Sequence, residues 1–152
     1  MAVILDFQID EKVLAEDRQQ TPAAADPAVI ETTYFTVPVR FSVDGRELFQ
    51  TQSSACLPQP VLGLATHLVL ALDALRSTGV AKCSVAGGTL HLRQRGERVQ
   101  LTCSFNRVES GVPIDELEAA IKSFRRRVED SLRLLVPEIT THPSWPMWFP
   151  RS

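Results

Sequence analysis

Apolar and polar residues alternate with a period of two in several stretches of the chain, a pattern that predicts β-strands with one buried face. The first stretch covers residues 3–9 and the second covers 35–43. The second ends at Asp44-Gly45, which favours a hairpin because a type I′ turn needs positive φ at both central residues. Pro38 cannot donate a ladder hydrogen bond, so its strand is predicted to lie at a sheet edge or to carry a bulge.

The clearest alternation covers residues 90–105, with a turn near 95–97. Leucine, valine, cysteine and phenylalanine fall on one side of this predicted hairpin, and polar residues fall on the other. The polar side carries Arg93, Arg95 and Arg98. A further short strand is predicted at 80–86, before a break at Gly87-Gly88.

Two stretches have the three-to-four-residue period of a helix. The first is mostly apolar, opens at Pro58 and Pro60 and closes at Gly79, which predicts a helix buried on most sides. The second, 113–136, has one apolar stripe, acidic residues in its first turn and Pro137 after its end, which predicts an amphipathic helix.

Residues 10–33 are rich in charge, glutamine and alanine and contain two prolines, so we expect a long loop with at most one helical turn, around Val13 to Asp17. The whole pattern predicts a single α+β domain over residues 1–152. Its expected architecture is an antiparallel sheet of about five to six strands with two helices packed on one face.

Composition narrows the class of protein. The chain has 152 residues, 44% of them hydrophobic, and a formal net charge of −2. This charge gives no global attraction to nucleic acid or to an anionic membrane, and no stretch reaches the length of a membrane span. The N-terminal residues do not resemble a secretory signal, and three cysteines without a motif spacing are typical of free thiols. We therefore expect a cytoplasmic protein.

Candidate catalytic and metal chemistry is sparse. Cys56 precedes the buried helix, where amides and the helix dipole lower a thiol pKa, and a histidine could serve as its base. Ser53 and Ser54 could present hydroxyls to an anion there, but simple capping is the favoured interpretation because no Gly-rich phosphate-binding pattern accompanies them. Cys83, His91 and Cys103 could meet on neighbouring strands, but alternation points His91 away from Cys103, so no metal and no cofactor is expected.

Candidate partner-binding residues fall in three places. One is the arginine-rich hairpin, and another is the flank of the last helix with Arg125 and Arg126. The third is the aromatic C-terminal tail, 138–152, in which prolines favour an extended geometry that places Trp145 and Trp148 on one side. The tail either seals the core of its own domain or offers these rings to a partner.

Taken together, the VPVRFSVDGREL hairpin, the apolar helix, the LHLRQRGERVQLTCSF hairpin, the amphipathic helix and the aromatic tail resemble the small immunity proteins of bacterial toxin-immunity systems. Those proteins are single α+β domains without catalytic residues. The resemblance implies binding to a cognate toxin and occlusion of its active site.

The first hypothesis is thus a non-catalytic protein-binding module, an immunity or antitoxin protein. Its predicted partner-binding residues are Arg93, Arg95, Arg98, Arg125, Arg126, Trp145 and Trp148. One alternative is a thiol-dependent enzyme or small-ligand protein centred on Cys56. Another is a structural or chaperone-like homodimer that uses an exposed sheet face or the edge strand with Pro38.

Overall fold

Two antiparallel sheets, instead of the one predicted, carry the strands of this α+β fold. The computed structural model describes residues 3–20, 22–50, 57–105 and 109–150. The strands are β1 (Val3–Phe7), β2 (Thr36–Val43), β3 (Arg46–Glu47), β4 (Pro58–Pro60), β5 (Val80–Val85), β6 (Gly88–Arg95), β7 (Arg98–Cys103) and β8 (Glu109–Pro113). The helices are α1 (Glu11–Gln19), α2 (Pro27–Thr32), α3 (Val61–Thr78), α4 (Ile114–Leu135) and α5 (Trp145–Trp148), with 3-10 turns at Pro22–Ala24 and Pro137–Thr141.

The first sheet is built around β2. Strand β1 pairs with one side of β2, while β3 and β4 pair with the two ends of its other side. Asp44 and Gly45 have φ of 52° and 80°, so the predicted hairpin turn between β2 and β3 is confirmed.

The prediction that Pro38 marks an edge strand is wrong, since β2 is the central strand of its sheet. The carbonyl of Pro38 accepts a hydrogen bond from the amide of Gln8 at 3.1 Å, immediately beyond the last β1 residue. The reciprocal bond, which would need an amide hydrogen on proline, falls where the pairing with β1 ends. A central strand can therefore hold a proline at the end of its ladder.

The second sheet is a four-stranded meander in the order β5-β6-β7-β8. The predicted strand at 80–86 and the predicted 90–105 hairpin are its first three strands. Strand β8 was not predicted because its sequence, ESGVP, has only one strongly apolar residue. Both sheets contribute their inward residues to one hydrophobic cluster.

Helices α3 and α4 pack against each other within this cluster, as the two periodic stretches predict. Gly79 ends α3 with φ of 80°, a conformation that glycine adopts without steric cost. By length and composition α3 is the one described helix that could cross a membrane, but half of it is buried inside the fold, as in any core helix.

The predicted loop at 10–33 is wrong: this region forms α1, a 3-10 turn and α2. Asp10 caps α1 by accepting hydrogen bonds from the second and third amides, and Asp26 caps α2 ahead of Pro27. Each helix buries one aliphatic anchor, Leu14 in α1 and Ile30 in α2. Capping and tertiary burial together outweigh a composition that offers little to bury.

Helix α2 crosses α3 at Gly63, where the backbones touch. A Cβ at Gly63 would lie 1.8 Å from the carbonyl oxygen of Glu31. Only a residue without a side chain fits this crossing.

The Gly63→Ala variant should therefore lose at least about 2 kcal/mol of unfolding free energy, because the clash exceeds the usual gain of alanine in a helix. Urea denaturation checks this, with Ser77→Ala on the exposed part of the same helix as control. An unchanged or higher urea midpoint for Gly63→Ala would show that the crossing is looser than described.

The extended geometry predicted for the proline-flanked tryptophans of the tail is also wrong, because Pro137–Thr141 form a 3-10 turn and Trp145–Trp148 form α5. Trp145 and Trp148 are 5% and 1% exposed and belong to the hydrophobic cluster. The tail therefore packs on the core of its own domain and does not offer these rings to a partner. Because both tryptophans are buried, they are not available as partner-binding residues.

Contacts between the tail and the N-terminal helices fix it in place. The amide of Ser144 donates to Nδ1 of His142 at 3.0 Å, so Nε2 carries the proton and donates to the carbonyl of Ala25 at 2.8 Å. The His142 ring packs on Trp148, with centroids 4.9 Å apart. Glu138 forms an ion pair with Arg18 of α1.

Truncation of Trp148 to alanine should cost about 3–5 kcal/mol of unfolding free energy, since a large buried ring is replaced by a cavity. Its neighbour Met147 is 71% exposed, and Met147→Ala should change stability by less than about 0.5 kcal/mol. Denaturant titration of both variants measures the contrast. Equal effects of the two substitutions would mean that the tail is not docked.

Candidate protein-binding face on the second sheet

The second sheet presents one polar face away from the core. Leu90, Leu92, Val99 and Leu101 point inward and are buried, so the alternate positions of β6 and β7 point outward. Residues of β5 and β8 that pair with outward residues of β6 and β7 also point outward. The outward positions, which we call the outer face, are Val80, Lys82, Ser84, Thr89, His91, Arg93, Arg95, Arg98, Gln100, Thr102, Glu109, Gly111 and Pro113.

Cations dominate this outer face. Strand pairing places Lys82 beside His91, and Arg93 and Arg95 follow His91 along β6. Arg98 lies opposite Arg95 at the end of the hairpin. Four cations thus face a single carboxylate, that of Glu109, in a chain whose net charge is negative. The face is a local positive patch.

Three cations of this patch lack an ion-pair partner. Among the described residues, Lys82, Arg93 and Arg95 have no carboxylate within ion-pair distance. The arginines elsewhere that do have such a partner are Arg18, Arg40, Arg76, Arg127 and Arg133. Within the described ranges Lys12, Arg46, Arg125 and Arg126 also have none, so the outer face is distinguished by gathering three such cations on one surface of a sheet.

Neighbouring strands hold two of the guanidinium groups in position. Nε of Arg95 donates to the side-chain amide oxygen of Gln100 at 3.1 Å. Nη2 of Arg98 donates to the carbonyl of Gly111 at 3.1 Å, across the glycine that leaves room for it. Both hydrogen bonds are to neutral acceptors, so neither of them neutralises a guanidinium charge.

The outer face has a shallow depression of about 600 Å³. It is lined at one end by Val80, which is 52% exposed, and by Lys82, and it reaches Glu109 at the other end. No Phe, Tyr or Trp lies among the outer-face positions. The surface is therefore basic and without aromatic rings, with the apolar residues Val80 and Pro113 near its edges.

Of the predicted partner-binding residues, the structure brings together Arg93, Arg95 and Arg98 but separates them from Arg125 and Arg126. Helix α4 packs into the core, on the inner side of the sheet. There the guanidinium group of Arg125 bonds to the tail, donating to the carbonyl of Trp148 at 3.4 Å. Arg126 is exposed on α4, away from the outer face.

Sequence analysis missed Lys82 and Glu109. The parity of the predicted strand at 80–86 already placed Lys82 opposite to its buried neighbour Cys83. Glu109 belongs to the strand that was not predicted, so no sequence signal placed it on this face.

Cys83 and Cys103 are free, buried thiols that flank Leu90 on the inward side of the sheet. Burial raises the pKa of each to about 12. His91 lies on the opposite side of the sheet, so the prediction that alternation separates it from the thiols is confirmed. Within the described ranges, no three His, Cys, Asp or Glu residues form a group that could hold a metal ion.

Another depression, of about 240 Å³, lies where α2 meets the start of α3. Nε2 of His67 is 3.8 Å from a carboxylate oxygen of Glu31 there. Gln59 is fully buried beside it, with both ends of its amide bonded to the backbone of Ala86. Ser53, Ser54 and Cys56 lie outside the described residues, so the thiol-centred alternative stays a prediction.

No family model matches this chain, and no curated protein or solved structure matches it significantly.

In a Cys56→Ser variant, neither remaining thiol should react quickly with Ellman's reagent at pH 8, because a pKa of about 12 leaves almost no thiolate. Both should react once the chain is unfolded in guanidinium. Rapid labelling of one thiol in the native protein would show that the inward side of the sheet opens to solvent.

Proposed function

We propose that this chain is a non-catalytic protein-binding module whose outer face docks on an acidic surface of another protein. One observation carries the proposal: Lys82, Arg93 and Arg95 share one sheet face without a carboxylate partner in the part of the chain that the structure describes. Uncompensated cations on one rigid surface are typical of a site whose counter-charges come from a partner.

The sheet supplies the rigidity that such docking needs. The inward side of β6 and β7 is packed into the core, so the backbone that carries the arginines is fixed before the partner arrives. Arginine loses little conformational freedom per hydrogen bond and binds carboxylates in a bidentate manner. The charge also steers association, which it accelerates at low ionic strength.

Within this class we propose an immunity or antitoxin function in the cytoplasm, in which the module blocks the active site of a cognate toxin. The organisation-level resemblance described above supports it. The positive face adds a requirement on the target. A toxin whose active site is lined by carboxylates, as in metal-binding or paired-acid chemistry, matches this face.

Two other occupants fit less well. Nucleic acid binding favours stacking aromatics as well as cations, and the outer face has none. A second copy of this chain would bring the same cations together across a two-fold axis, where like charges repel.

The first test compares two triple variants of equal charge change. The outer-face variant is Lys82→Gln, Arg93→Gln and Arg95→Gln, and the control is Lys12→Gln, Lys122→Gln and Arg126→Gln. Each is used as bait in extracts of the source organism, and the identified partner is then purified. We expect the outer-face variant to associate with it at least about tenfold more slowly at 50 mM salt, with the control unchanged.

Surface plasmon resonance at 50 and 500 mM salt measures these rates. High salt should abolish most of the difference between wild type and the outer-face variant. Equal association by wild type and the outer-face variant would refute the proposed surface. A loss confined to the control would move the interface to α1 and α4.

A further inference from the structure

We propose that the element of the partner that lies on the outer face is an acidic α-helix, with carboxylates along one side. This inference rests on the proposed function and names the chemistry and the shape of what docks there. It follows from three features: the obstructed edges of the second sheet, the polar outward surface and the spacing of its cations.

Both edges of the second sheet are obstructed. At the β5 edge, the hydroxyl of Thr78 donates to the carbonyl of Val80 at 2.8 Å, and the Gln59 amide occupies both backbone groups of Ala86. At the β8 edge, Nη1 of Arg46 donates to the carbonyl of Glu109 at 2.9 Å. A strand added to either edge would have to displace these bonds, so β-augmentation is disfavoured.

An occupant must therefore lie on the face and not along an edge. An extended segment laid on a sheet face leaves its own amides and carbonyls without ladder partners, which costs free energy when they are desolvated. A helix satisfies these groups internally. The backbone of a helix can thus enter the depression at no such cost.

The cations are spaced to match a helix. Arg93 and Arg95 are two residues apart on β6, about 6.8 Å. Carboxylates at i and i+4 of a helix are about 6 Å apart along its axis. Lys82 lies one strand over and one outward position back from Arg93, which places it about 14 Å from Arg95 in regular sheet geometry. A third carboxylate at i+8 of an inclined helix lies within reach of the flexible lysine.

Three peptides of equal length and equal glutamate content test the shape. The first is a stapled helix with glutamates at i, i+4 and i+8, the second is a stapled helix with the glutamates distributed around its circumference, and the third contains prolines that prevent helix formation. Fluorescence anisotropy at 20 mM salt measures their binding to the full chain. We expect the first peptide to bind at least about fivefold more tightly than the other two.

Protein variants show whether the peptide lies on the outer face. Arg93→Gln with Arg95→Gln should remove the preference for the first peptide, while Lys12→Gln with Lys122→Gln should retain it. Equal affinity for all three peptides, or a preference that survives loss of both arginines, overturns the inference. Tighter binding of a single-stranded oligonucleotide of the same charge would overturn it in favour of nucleic acid.

The capture experiment tests the proposed function and the peptide experiment tests the shape of the partner, so either can fail without the other. If capture of the natural partner depends on the outer face but the peptides are not distinguished, the binding module stands and its occupant is a non-helical acidic surface. If the first peptide is preferred but capture does not depend on the outer face, the module's natural partner binds elsewhere.

Discussion

The alternation of β6 and β7 is the constraint on which both the core and the candidate site depend. Leu90 and Leu92 enter the core only if Arg93 and Arg95 leave it, because successive side chains of a strand point to opposite faces. A register shift by one residue would bury guanidinium groups without partners, at a cost that no neighbouring contact offsets. The apolar packing therefore fixes the charges as firmly as it fixes the leucines.

Local periodicity made much of the fold predictable. The hairpin at Asp44-Gly45, the buried helix ending at Gly79 and the amphipathic helix before Pro137 each carry their signal within a few residues. The division into two sheets was not predictable in this way, since it depends on pairing between distant strands. The helices α1 and α2 were missed because each depends on a cap and a single buried anchor.

In the candidate site, too, the features with a local sequence signal were predictable and those that depend on distant contacts were not. Strand parity alone placed Arg93, Arg95 and Arg98 on one face, and it could have placed Lys82 there as well. The burial of Trp148 could not be predicted locally, because its ring packs on His142, and His142 is held by the carbonyl of Ala25, more than a hundred residues away in sequence. The aromatic residues of the tail predict that it is buried, but they do not predict against which surface.

The contacts between the tail and the N-terminal helices bear on how this chain is made. The carbonyl of Ala25 and the guanidinium group of Arg18 find their partners on His142 and Glu138, which the ribosome adds more than a hundred residues later. Strand β2 and the second sheet can form in the meantime, since their pairings are complete without these residues. These two contacts can therefore form only after residues 138 and 142 have left the ribosome, so the interface between α1 and the tail completes after the sheets have paired.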